Sequence, residues 1–136
     1  MKNKYFLEMK LPKINLQNSN VMKNILVPTD FSENCIKAAH FAIKMAKTYG
    51  AEIHFLHQMT TPVDWVKLDK LKEKRYPETL KQIGNAKSNL RELEKTAEHE
   101  GLKCRTFLQF DSGQKDILDH SGHFHHDFII TGSSGT

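Results

Sequence analysis

Residues 24–33 of the chain read NILVPTDFSE, and this stretch decides the fold. Residues 25–27 form a continuous apolar run without alternation, which is typical of a strand covered on both faces, as in a parallel sheet. Pro28 cannot donate a hydrogen bond to a neighbouring strand, so it marks the end of this one. Asp30 precedes Glu33 by three residues, a spacing that predicts a helix capped by Asp30 with the glutamate reaching back. The carboxyl end of a parallel strand is where open α/β sheets bind ligands.

An amphipathic helix is predicted to follow this turn. Its apolar residues recur at spacings of three and four: Ile36, Ala39, Ile43 and Ala46. Gly50 is predicted to end the helix in a left-handed conformation. Residues 51–58 then form a second strand, so the chain makes a βαβ unit with a right-handed crossover.

Further helices and strands are predicted downstream. Residues 77–100 form a helix whose apolar side has helical spacing: Leu80, Ile83, Ala86, Leu90, Leu93 and Ala97. Residues 103–110 alternate in polarity, which favours an edge strand. Gly113 turns into a short helix, and residues 127–131 form the last strand. Four strands that alternate with helices predict an α/β protein with a doubly wound parallel sheet.

The sequence predicts the structure of the segment from Thr60 to Arg75 less clearly. Its apolar residues predict a short helix that holds Trp65. Because it leaves the sheet at the carboxyl end of the second strand, it either lies over a bound ligand or packs on the surface. Surface packing is the simpler interpretation.

The composition excludes several classes of protein. The 136 residues fit one domain, and 38% hydrophobic with 26% charged residues is typical of a globular protein. No apolar run approaches the roughly 18 residues that span a membrane, and no stretch has the character of a signal peptide. Cys35 and Cys104 make no disulfide framework, so we expect a cytoplasmic protein without a membrane partner.

The net charge of +4 is concentrated at one end of the chain. Residues 1–20 hold four lysines against one glutamate, which accounts for +3 of it. The remainder is nearly neutral, so we expect no nucleic-acid interface. Residues 1–21 are predicted to be a poorly ordered extension, with an amphipathic arm for a partner as the alternative and Met22 as a plausible start.

Three separated stretches together resemble the universal stress protein family. They are KNILVPTDFSE at residues 23–33, the strand that ends in His57, and FIITGSSG at residues 128–135. Either the opening or the closing stretch alone is a weak signal, whereas both at this separation in a βαβ sequence are specific. The similarity runs from about Met22 to Thr136, so residues 22–136 are identified as the family domain.

The resemblance implies a Rossmann-like fold of the adenine nucleotide alpha hydrolase-like type, with strand order 3-2-1-4. Many members of the family bind ATP and others do not. We expect this chain to bind ATP, with or without Mg²⁺, as a homodimer. In nucleotide-binding members, the turn after the first strand and the residue after the second strand's histidine contact adenine and ribose. Those positions here are Pro28, Thr29, Asp30 and Gln58. The glycine loop after the fourth strand holds ribose and phosphates, at Thr131, Gly132, Ser134 and Gly135. Glycines also let a backbone approach phosphate oxygens, and successive N–H groups form an anion nest.

The chain departs from the family pattern at its end. The family's motif continues past the second glycine with a further Gly and a Ser or Thr, whereas this sequence stops at Thr136. The helix that would face the phosphates and the usual fifth strand, which often forms the dimer contact, are therefore expected to be missing. We expect a domain that is incomplete at its C-terminus or completed by another chain, with the fourth strand as a bare apolar edge.

Other candidate sites have simpler explanations. Four histidines at residues 120–126 invite a metal interpretation, but a solvated loop is favoured because His125 and His126 need not converge with His120. Cys35 is interpreted as structural. His54 and His57 lie on opposite faces of their strand by parity.

No pair of carboxylates and no nucleophile–base couple stands out, so no enzymatic role is predicted, although slow ATP turnover stays open. The sequence predicts a cytosolic stress protein that senses or binds ATP. The alternatives are a dimerising or partner-docking module that binds no nucleotide, and a hydrolase of related fold.

Overall fold

A five-stranded sheet forms the centre of the computed structural model, which describes residues 7–9, 24–111 and 128–132. The strands are β1 (Leu7–Met9), β2 (Asn24–Pro28), β3 (Glu52–Thr60), β4 (Cys104–Asp111) and β5 (Phe128–Gly132). Their order across the sheet is β1-β5-β2-β3-β4. The four strands β5, β2, β3 and β4 are parallel. This confirms the predicted order 3-2-1-4 and the predicted position of the alternating strand at an edge.

Two long helices pack on the sheet: α1 (Glu33–Tyr49) and α2 (Pro77–His99). Gly50 follows α1 with φ +68° and Gly101 follows α2 with φ +83°, so both glycines take the left-handed conformation that ends a helix. α2 buries its predicted apolar side except at one position, since Leu80 is 38% exposed. Within the described residues, no helix is long and apolar enough to cross a membrane.

The core lies between one face of the sheet and the two helices. The sheet contributes fully buried side chains from its inner strands: Ile25, Val27, Ile53, Phe55, Phe128 and Ile130. α1 faces them with small residues: Ala38, Ala39, Ala42 and Ala46. Because alanine side chains are short, α1 lies close to β2 and β5, and its first turn reaches the carboxyl ends of these strands.

The connection from β3 to α2 holds Trp65 in a short helix, as predicted, and adds a second one. It contains two 3₁₀ helices, Trp65–Lys67 and Lys70–Arg75. The Asp69 side chain accepts a hydrogen bond from the Leu71 backbone N–H, at 3.3 Å, and this local bond starts a new turn instead of continuing the first one. Trp65 is buried, but Val66 and Leu71 are 77% and 74% exposed. Of this apolar set, Trp65 packs into the protein, whereas Val66 and Leu71 face solvent.

β1 covers an edge that was expected to be bare. It pairs antiparallel with β5, with Leu7 opposite Gly132 and Met9 opposite Ile130. A regular element is therefore present within residues 1–21, where none was expected. Residues 130–132 of β5 are thus paired on their outer edge by the chain itself. The predicted short helix after Gly113 lies outside the described residues.

We expect removal of residues 1–21 to promote self-association, because it uncovers the backbone edge of an apolar strand. Light scattering coupled to size-exclusion chromatography, over a concentration series, measures this. A control that lacks only residues 1–6 keeps β1 and should behave as the full chain does. The same mass for all three proteins at every concentration would contradict a covering role for β1.

Candidate functional site

A cavity of about 260 Å³ lies at the carboxyl ends of β2, β3 and β5. Six of the eight residues predicted for a nucleotide site line it: Pro28, Thr29, Asp30, Gln58, Thr131 and Gly132. The other two, Ser134 and Gly135, lie outside the described residues. Cys35 and Leu56 also line the cavity and were not predicted. The turn after β2 and the end of β5 thus meet at one rim of the sheet.

Side-chain hydrogen bonds shape the turn after β2. The Thr29 hydroxyl accepts from the Phe31 N–H at 2.9 Å, and Asp30 Oδ1 accepts from the Ser32 N–H at 2.8 Å. The Thr29 N–H donates to the Leu56 carbonyl oxygen of β3 at 2.8 Å, which continues the sheet pairing into the turn. Phe31 has φ +64°, a left-handed conformation that is unusual for a residue other than glycine. The two local bonds hold the chain in this conformation.

The helix cap differs from the prediction. Ser32, and not Asp30, is the N-cap of α1, and its hydroxyl accepts from the Cys35 N–H at 3.3 Å. Glu33 does not reach back; it is exposed and lies 3.7 Å from Lys37 one turn on. The left-handed residue Phe31 moves the helix start two positions further along the chain. The Asp30 side chain therefore does not cap α1, and it lines the cavity instead.

Asp30 is held in its charged form. A hydrogen bond from the Ser32 side chain is the main cause that lowers the pKa of this carboxyl; partial burial opposes it, and the Ser32 backbone N–H adds to the lowering. The net direction is below the ordinary value of 3.8. The cavity therefore has an ionised oxygen acceptor at neutral pH, suited to hydroxyl donors.

Gly132 is required by a close approach of protein backbone. A Cβ at this position would collide with the Asn34 carbonyl oxygen and would lie 2.7 Å from the Asn34 carbonyl carbon and 3.0 Å from the Cys35 nitrogen. The Cys35 thiol donates to the Gly132 carbonyl oxygen across 3.7 Å. The end of β5 thus rests directly on the first turn of α1, which explains why Cys35 belongs to the cavity wall.

β3 lines another side of the cavity, through Leu56 and Gln58. The Gln58 side-chain amide donates to Asp111 Oδ2 of β4 at 2.8 Å. The Nδ1–H of His57 donates to the Thr29 carbonyl oxygen at 2.7 Å, and its ring lies 4.6 Å from that of Phe31. His57 therefore fastens the turn after β2 to β3.

His54 lies apart from this wall. It is buried, pairs with Glu52, and packs edge-on against the Phe107 ring with centroids 5.5 Å apart. Glu52 also lies 3.2 Å from the Arg105 guanidinium. His54 and His57 thus contact different sets of residues.

The described part of the chain holds no group of three or more His, Cys, Asp or Glu residues that could bind a metal. The predicted histidine loop, at residues 120–126, lies outside the described ranges. Burial, together with the charges of nearby glutamates, raises the pKa of the Cys104 thiol to about 12. Cys104 is consequently not a thiolate at neutral pH.

Comparison with known proteins gives a consistent result. The sequence model of the Universal stress protein family matches residues 22–136. A universal stress protein of Methanocaldococcus jannaschii is 26% identical over an alignment 140 residues long. The alignment covers 97% of this chain and 75% of that protein. In fold, the chain is similar to universal stress protein UspA from Lactobacillus plantarum, with a TM-score of 0.66, 20% identity, and coverage of 85% and 79%. It is also similar to a family protein from Arabidopsis thaliana with AMP bound, with a TM-score of 0.59, 14% identity, and coverage of 83% and 78%.

Gly132→Ala should lower the free energy of unfolding by about 1–3 kcal/mol, because rigid backbone atoms occupy the space of the new methyl group. Urea denaturation measures the change. Gly84→Ala is the matched control: it lies within α2 with nothing within 4 Å of the added carbon, so it should stabilise the protein by about 0.5–1 kcal/mol. Equal effects of the two substitutions would contradict the contact between β5 and α1.

The lowered pKa of Asp30 predicts how stability depends on pH. A carboxyl whose pKa is lower in the folded state stabilises the fold above its ordinary value of 3.8, and this stabilisation is lost as the pH falls through the folded-state pKa. Asp30→Asn keeps an oxygen for the Ser32 N–H but cannot ionise. The difference in free energy of unfolding between wild type and this variant should be constant near neutral pH and shrink below about pH 4. Parallel stability curves down to the acid limit would contradict it.

Proposed function

Since this chain belongs to the universal stress protein family, we propose that it binds an adenine nucleotide, ATP with Mg²⁺, in the cavity at the carboxyl ends of β2, β3 and β5. One observation carries the proposal. Side chains from three segments that are distant in sequence line a single cavity around an ionised carboxylate, at the place where parallel α/β sheets bind ligands. The AMP-bound relative from Arabidopsis thaliana supports the choice of ligand class.

Each wall has a chemical role in this proposal. The Asp30 carboxylate accepts hydrogen bonds from the ribose hydroxyls, as acidic residues do in dinucleotide folds. Thr131 and Gly132 lead into the Gly-Ser-Ser-Gly loop, and the backbone N–H groups at Ser134 and Gly135 hold the phosphates. Mg²⁺ binds mainly through phosphate oxygens and water, so it enters with the nucleotide.

The structure offers apolar contact as well. Pro28 and the buried Leu56 give the same cavity an apolar wall, and the weakly polar side chain of Cys35 extends this wall. A cavity with an apolar wall and a few placed polar groups is the usual form of a small-molecule site. These residues suit the faces of the base and sugar, whereas Asp30 fixes their orientation.

We further propose that the protein is a binding protein of the cytosol and acts as a homodimer. The absence of a nucleophile–base couple in the sequence supports binding over catalysis, and the thiols favour a reducing compartment. The competing function is a docking module of the same fold that binds no nucleotide. Nucleotide titration separates the two.

Isothermal titration calorimetry of the full chain with ATP, with and without Mg²⁺, tests the proposal. We expect Asp30→Ala to weaken binding by about tenfold to a hundredfold, since a hydrogen bond to a charged group contributes about 1.5–3 kcal/mol. Asp64→Ala is the matched control, because Asp64 is exposed, makes no capping bond and lies outside the cavity. Equal dissociation constants for Asp30→Ala and wild type, or no heat of binding in wild type, would contradict the proposal.

A further inference from the structure

The strand β4 lies at one edge of the sheet, and no other strand among the described residues pairs with its outer side. The opposite edge is closed, because β1 pairs with residues 130–132 of β5. All eight residues of β4 pair in sequence with β3, without a bulge. β4 holds no proline and no lysine, the residues that commonly keep an edge strand from pairing. It is therefore a long, regular edge that can accept a further strand.

The backbone groups on this edge can be assigned residue by residue. The Lys103 carbonyl oxygen accepts a hydrogen bond from the Ile53 N–H of β3 at 3.0 Å. At the other end of β4, the Asp111 carbonyl oxygen accepts from the Thr61 N–H at 3.3 Å. Because successive residues of a strand direct their backbone groups to alternate sides, the odd-numbered residues of β4 face β3. The outward N–H and carbonyl groups belong to the even-numbered residues: Cys104, Thr106, Leu108 and Phe110.

The two charged side chains of β4 lie near its ends, on the face of the sheet away from α2. Arg105 and Asp111 share this face because both are odd-numbered, whereas the even-numbered Leu108 packs on the core beneath the helices. Contacts with β3 hold both charges in place: the Arg105 guanidinium lies 3.2 Å from Glu52, and Asp111 accepts from the Gln58 amide. A guanidinium has five N–H donors and a carboxylate has two acceptor oxygens, so each can bind a second partner.

These features match a second copy of the same strand in antiparallel orientation. In an antiparallel ladder, two residues directly opposite each other either both direct their backbone groups to the partner strand or both direct them away. A two-fold axis at Leu108 satisfies this rule and places Arg105 opposite Asp111 of the partner subunit, and Asp111 opposite the partner's Arg105. Both ion pairs then occupy non-hydrogen-bonded positions, where opposing side chains are closest. Shifting the register by two residues leaves Arg105 without an acidic residue opposite it.

We propose that a second copy of this chain pairs with β4 along its outer edge, so that two sheets join into one across a two-fold axis at Leu108. This inference rests on the homodimer of the proposed function and names the strand that forms it. The outward backbone groups supply the hydrogen bonds between the subunits, and the opposite charges at the two ends of the strand set the register. This contact differs from the one that the resemblance implies, which uses a fifth strand beyond β5.

Light scattering coupled to size-exclusion chromatography, over a concentration series of the full chain, measures the dissociation constant of the dimer. We expect Arg105→Glu to raise it about tenfold, because the substitution places like charges opposite each other at two positions of the dimer. Adding Asp111→Lys to this variant exchanges the two charges and should restore most of the affinity. Lys37→Glu is the control: it also reverses a charge that pairs with a glutamate, but it lies on α1 and should leave the constant unchanged.

A backbone substitution tests the edge independently of charge. Thr106→Pro removes an N–H that points away from β3, so the fold should be kept, as circular dichroism checks, and the protein should become a monomer. Hydrogen exchange of wild type above the dissociation constant should show protected amides at Thr106, Leu108 and Phe110, and dilution should expose them. The amides of Phe107 and Gln109 should stay protected at every concentration, because they bond to β3.

The outcomes separate this inference from the proposed function. A dimer with the same dissociation constant in wild type, Arg105→Glu and Thr106→Pro overturns the pairing at β4 alone. Protection of Thr106, Leu108 and Phe110 that does not change on dilution also overturns it, because the same chain then covers the edge. A wild type that is monomeric at every concentration overturns both this pairing and the homodimer, whereas nucleotide binding is decided separately by the calorimetric titration.

Discussion

The close contact between Gly132 and the first turn of α1 is the constraint on which the site depends. It joins residues 97 positions apart in sequence, with the Cys35 thiol against the Gly132 carbonyl oxygen. Because Asn34 backbone atoms occupy the place of a side chain at 132, β5 can end directly on the helix. The resemblance attributes this glycine to phosphate binding. The packing gives this glycine a second role, because only a residue without a side chain lets the end of β5 contact the backbone of α1.

In the turn after β2, one residue caps the helix and another supplies the negative charge of the cavity. Ser32 caps α1, so the carboxylate of Asp30 is not used at the helix terminus. Hydrogen bonds around the turn keep Asp30 ionised, and His57 fastens the turn to β3. Phe31 takes the left-handed conformation, and its ring packs beside His57 and against the cluster that holds Met59 and Ile83. One short turn thus determines the charge, the position and the neighbouring surface of the site.

Local patterns in the sequence predicted the elements that bury an apolar face, and the order of the parallel strands followed from the motifs. The turn was predicted less well, because Asp30 and Ser32 are both good caps and only the conformation of Phe31 decides between them. β1 could not be predicted, since three residues carry no periodicity and the partner strand is distant in sequence. Cys35 enters the cavity only through the approach of β5, which no local signal reveals.

The central claim is that the rim formed by β2, β3 and β5 holds the adenine nucleotide. Amide chemical-shift changes in ¹H–¹⁵N spectra of the full chain, recorded as ATP is added, test it residue by residue. We expect the largest changes at Asp30, Gln58 and Gly132, and small changes at Gly50 and Lys103 at the opposite ends of the strands. Changes that are largest at Gly50 and Lys103, or absent throughout, would contradict it.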